Sequence, residues 1–156
     1  MTNDAVPNEL SVTRLIDAPR AMVYRAYTEH MTEWFAPRPW TTPSAELDLR
    51  PGGANRITMR SPEGQDMPNE GVFLEVVPNE KLVFTDAFRG GWVPHGPFMV
   101  VIVTFEEEGG RTRYTARARH WTEDACRQHE AMGFVQGWGI CADQLAEVAE
   151  RLAAQA

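Results

Sequence analysis

The chain has 156 residues, enough for one domain that buries about two-thirds of its unfolded surface. Hydrophobic residues make up 43% and charged residues 24%, the balance of a soluble globular protein, and no run approaches the ~20 apolar residues of a membrane span. The formal net charge is −7, and Glu106, Glu107 and Glu108 stand beside the arginines of 111–119, so no basic stripe exists and nucleic acid is excluded as a partner.

Residues 1–8 read as a disordered tail, and 9–156 as a single domain. The tail has no apolar core of a signal peptide. Leu10, Val12 and Ile16 alternate with Ser11 and Thr13 to predict a first strand, in which Arg14 breaks the apolar pattern. Asp17-Ala18-Pro19 then starts a helix, because proline suits a first helical turn. Met22, Val23, Ala26 and Tyr27 recur at helical spacing, residues 30–35 form a second short helix, and Pro37 and Pro39 end it.

Short strands follow at 45–49, 54–60, 71–77, 81–88, 98–106 and 111–120. They are separated by Pro-Gly-Gly, Pro-Glu-Gly, Pro-Asn and Gly-Gly turns, the signature of an antiparallel meander. In the last strand Thr112, Tyr114, Ala116, Ala118 and His120 share one face, taken as inward, and four arginines share the other with Thr115. The strand at 98–106 is apolar on both faces, which predicts a cover for its second face, either other segments of the chain or a homodimer partner.

Residues 123–153 predict a long helix, with a break near Gly133 or at 137–139. Phe134, Trp138, Cys141, Leu145, Val148 and Leu152 form its buried stripe. On one helix Cys126 and Cys141 are about 22 Å apart, too far for a disulfide, and free thiols suit a reducing, cytoplasmic setting. The fold class is therefore α+β: a sheet curled around a long C-terminal helix, with two short helices after the first strand.

Several motifs occur in order along about nine-tenths of the chain: Ala18-Pro19 with Val23-Tyr24-Arg25-Ala26-Tyr27-Thr28, then Trp34-Phe35-Ala36-Pro37. Asp48-Leu49-Arg50-Pro51-Gly52-Gly53, the 77–85 segment and Gly137-Trp138 follow. This series resembles the START/Bet v 1-like (SRPBCC) superfamily, and within it the branch named after the activator of Hsp90 ATPase. The resemblance implies a helix-grip fold, with a seven-stranded antiparallel sheet and a cavity between sheet and helix.

The expected function is to hold a small hydrophobic or aromatic molecule in that cavity. Met59, Phe84, Met99, Tyr114, Met132, Phe134 and Trp138 are the expected lining, with Trp34 or Trp40 at the mouth. Trp92, in the Gly- and Pro-rich segment 90–97, reads as part of a lid or an interface. Asp86 reads either as a carboxylate in the cavity or as a strand end in solvent. His120 is expected to orient a polar ligand group, or to be a hydrogen-bonded rim residue. His129 and Glu130 read as solvated.

Two other readings stand beside this one. One is a cyclase-, hydrolase- or lyase-like enzyme using Asp86 or His120 as acid–base groups. The other is a co-chaperone-like interaction module, which the branch name suggests. The scattered histidines give no metal-ligand spacing, no Gly-x-Ser-x-Gly occurs, and Gly52-Gly53 does not open a helix, so no metal, nucleophile motif or phosphate cofactor is implied.

Overall fold

Alternating apolar positions generate seven strands that pair in one antiparallel, half-barrel sheet in the computed structural model, which describes residues 6–156. The chain runs β1 (Glu9–Ile16), α1 (Arg20–Glu29), α2 (Met31–Trp34), β2 (Thr41–Leu47), β3 (Ala54–Arg60), β4 (Asp66–Val77) and β5 (Lys81–Thr85). A two-residue hairpin of β6 (Phe88–Arg89) and β7 (Val93–Pro94) leads to β8 (Met99–Glu108) and β9 (Arg111–His120). The helices α3 (Glu123–Ala131) and α4 (Phe134–Gln155) close the chain. The sheet order is β1-β9-β8-β5-β4-β3-β2, so the first strand crosses over to pair with the last. Of the expected tail, residues 1–5 lie outside the described residues, while Asn8 is hydrogen-bonded to His120.

The predicted inward parity of β9 holds: Thr112, Tyr114, Ala116, Ala118 and His120 are all buried. Register extends that face to Phe105, Val103 and Val101 on β8, then to Leu82 and Phe84 on β5, Phe73 on β4 and Ile57 on β3. On the outer face, Val100 and Ile102 stand opposite Arg119 and Arg117. The arginine stems offer these apolar positions cover from within the chain, while their heads reach Glu9 and Thr104.

Arg14 has a specific reason for breaking the pattern of β1. Its guanidinium crosses α4 at Gly139, where a Cβ would lie 2.7 Å from Nη2, and reaches Asp143 at 2.8 Å. The C-terminal helix is two helices, divided at the first of the two expected positions. Gly133 has φ 91°, a left-handed conformation open to glycine, and this redirects the chain between α3 and α4.

Three strands differ most from expectation. β4 begins at Asp66, because the turn at 61–65 extends its pairing with β3 out to Met59–Met67 and Arg60–Asp66. β5 ends at Thr85, where Asp86 turns aside to accept hydrogen bonds from the N–H groups of Phe98 (2.8 Å) and Met99 (3.1 Å). The edge strand β2 starts at Thr41 and shifts register between Thr41 and Ser44, around Pro43, which has no N–H to offer a ladder.

Candidate functional site

The position of α4 determines which side chains meet between helix and sheet. It packs on β1, α1 and α2. Toward the end of the sheet that carries Phe105 and Tyr114, side chains fill the interior. Tyr27 lies 4.8 Å from Trp34, 5.8 Å from Phe105 and 6.4 Å from Tyr114, centroid to centroid, and all four rings are buried. Trp34 donates its indole N–H to the Ala26 carbonyl at 3.0 Å, so it is a packing element of the α1–α2 corner. Burial raises the Tyr27 and Tyr114 phenols above their ordinary range and pushes the Cys141 thiol up to about 11, so all three stay neutral.

The opposite end is looser. Met59, Phe84 and Met99 share the inward face of the sheet and are only half-buried, as is Trp138 on α4. Val100, Thr85, Val72 and Ala54 form one cross-strand row, and the next row toward this end holds His120, Met99, Gly71 and Asn55. The side-chain Oδ1 of Asn55 is buried there without a hydrogen-bond partner. Gly71 lets the backbone of Thr85 come close, since it occupies the place of a Cβ.

A ring cluster stands at this end. His120 Nδ1 lies 2.9 Å from the Asn8 carbonyl, and its Nε2 lies 2.8 Å from His129 Nδ1. His129 is itself surrounded by Phe98 (5.1 Å), Phe134 (4.9 Å) and Trp138 (5.7 Å). Burial, reinforced by His120, lowers the pKa of His129 to about 4. The sequence reading missed His129 because it falls off the stripe of one continuous helix; the turn at Gly133 gives α3 its own axis and swings His129 onto His120. Among the described residues no three His, Cys, Asp or Glu side chains are grouped as metal ligands.

The other named residues lie apart from this cluster. Trp92 packs its indole against Gly52 and lies 5.6 Å from Phe88. The β6–β7 hairpin that carries it is joined to the outer face of the sheet, where Gly90 N–H donates to Glu70 and Gly91 N–H donates to the Gly52 carbonyl. Met132 is 78% exposed at the α3–α4 turn. Trp40 is half-buried between α2 and β2. Asp86 spends its carboxylate on the first two N–H groups of the 98–108 segment.

Two open clefts, of about 370 and 420 Å³, adjoin on that outer face and share Glu46 and Arg56. Glu46, Arg56 and Glu70 are cross-strand neighbours there, and Arg89 and His95 of the hairpin segment complete a polar wall. Such a lining suits water and ions better than an apolar molecule.

Comparison with known proteins gives a consistent pattern. The family described as activator of Hsp90 ATPase homolog 1-like protein matches residues 17–150. The chain is similar to protein NE0264 from Nitrosomonas europaea, at 36% identity over 96% of this chain and 99% of that one, with a TM-score of 0.92. It shares its fold with protein Ms6760 from Mycobacterium smegmatis (23% identity, 90% and 89% covered, TM-score 0.76). The same holds for an AHSA1-like protein from Aeromonas hydrophila (21% identity, 92% and 93% covered, TM-score 0.70). No curated protein matches it.

Proposed function

The chain belongs to the activator of Hsp90 ATPase homolog 1-like family, and from that premise we propose that it binds a small hydrophobic or aromatic molecule between the curled sheet and α4. Folds of this family generally accommodate hydrophobic ligands. The observation that supports the reading is the row of half-buried apolar side chains Met59, Phe84, Met99 and Trp138, which the core does not fully enclose. A ligand there would gain about 25 cal/mol for each Å² of apolar surface removed from water. Methionines supply an adaptable wall and Trp138 a flat one. The binding end is the one marked by His120, since the Tyr27–Trp34–Phe105–Tyr114 end is occupied by the protein's own rings. No helix of the described residues is long and apolar enough to cross a membrane, and the two free thiols suit a reducing compartment such as the cytoplasm.

The test is titration with naphthalene-sized aromatic probes, read by tryptophan fluorescence and thermal shift. Saturable quenching is expected, and it should shrink in Trp138→Phe. A broad apolar panel that produced neither quenching nor a change in melting temperature would overturn the reading.

A further inference from the structure

We propose that His120 and His129 present the bare Nε2 of His129 as a fixed hydrogen-bond acceptor within the cage of Phe98, Phe134 and Trp138, so that the preferred ligand is an aromatic molecule carrying a hydroxyl donor, of the phenol class. This rests on the reading that the space beside α4 takes an aromatic molecule. It adds a chemical selection that apolar packing does not supply.

The argument starts at Asn8. Its carbonyl accepts the backbone N–H of His120 at 3.0 Å, and the His120 ring places Nδ1 2.9 Å from the same oxygen. A carbonyl oxygen only accepts, so Nδ1 must carry a hydrogen. The tautomer with its hydrogen on Nδ1 has a lone pair on Nε2. His129 Nδ1, 2.8 Å away, must donate to it. His129 is neutral near pH 7, because burial among rings disfavours its charged form. Its only ring hydrogen is therefore committed to His120, and Nε2, on the far side of the ring, has only a lone pair to offer. Among the described residues nothing hydrogen-bonds to it, although His129 is only 9% exposed.

The surroundings define what can approach. Phe98, Phe134 and Trp138 all have ring centroids within 5.7 Å of the imidazole. Phe98 is held in position by the Asp86 carboxylate, which accepts its backbone N–H. A lone acceptor edged by apolar rings is matched by a donor and not by another acceptor. A hydroxyl on an aromatic ring meets both demands. A carboxylate, ketone or ether oxygen would face the His129 lone pair.

The experiment uses three probes on the full chain: 1-naphthol, 1-methoxynaphthalene and 1-naphthoate, with affinities from calorimetry. The expected result is roughly tenfold or more tighter binding of 1-naphthol than of 1-methoxynaphthalene, with 1-naphthoate weaker still. In His129→Phe the first two should bind within about threefold of each other. Nitrogen-detected NMR of the wild-type imidazoles reads the tautomers without any variant, and both histidines should carry the hydrogen on Nδ1. Equal affinities for 1-naphthol and 1-methoxynaphthalene would overturn the donor selection while leaving the apolar binding reading intact. No binding of any probe would overturn both. A hydrogen on Nε2 of His129 in the free protein would overturn the acceptor assignment whatever the affinities.

Discussion

Single side chains here owe their roles to what they are pressed against. His129 in the unfolded chain takes up a proton as pH falls through its ordinary value near 6.5, whereas in the fold it does so only near 4. Between these values the unfolded state binds more protons, so stability must fall as the solution is acidified. The contribution is fully present above about pH 6.5 and gone by about pH 4, on the order of 1–2 kcal/mol once partial solvent screening is allowed for. Urea midpoints at pH 7 and pH 5 should show this loss in the wild type, and His129→Phe should remove that part of the pH slope. Arg14 illustrates another dependence on surroundings. Its alternation marks it as inward-facing, and only the absence of a side chain at Gly139 lets the guanidinium escape across the helix to Asp143. Periodicity in β1 identifies the exception, while the explanation lies 125 residues away, an arithmetic step from 14 to 139 that local pattern does not contain.

Among the elements, the boundary between β5 and the β6–β7 hairpin is governed by one carboxylate. Asp86 collects the N–H groups of Phe98 and Met99, which fixes where the 98–108 segment begins and seats Phe98 against both histidines. Asp86→Ala leaves two part-buried donors without their acceptor and is expected to cost about 2 kcal/mol, read from chemical denaturation; Asp86→Asn keeps one oxygen and should recover much of that loss. A cost below about 0.5 kcal/mol for the alanine variant would contradict the assignment. The strands at 54–60 and 111–120 were legible to the residue, because alternation and turn residues define both ends. The ends of β4 and β5 were not, since one depends on how far a hairpin zips and the other on a side chain reaching across the sheet. Likewise, a single helical stripe drawn from 123 onward conceals His129, because the left-handed Gly133 starts a new helical phase at Phe134.

At the scale of the molecule, element order and parity were enough to predict a sheet gripping the last helix, because the meander and the amphipathic stripe leave few other arrangements. Which residues stay half-buried was less legible. That depends on the packing of α4 on β1, α1 and α2, and on whether the glycine-rich 90–97 segment folds over the inner or the outer face, which composition does not specify. The sheet is open rather than closed, so β2 forms a free margin with Pro43 set within it. That margin lacks one donor, and its register is broken at the same place. Another chain seeking to lengthen the sheet at β2 would find no unbroken template there. Pro43→Thr restores the missing amide, and it is expected to increase thioflavin-positive fibrils under agitation while leaving the melting temperature within a few degrees of the original. If Pro43→Thr gives that result, Pro43 is the position to leave untouched when the protein is concentrated, displayed in arrays or redesigned as a sensor.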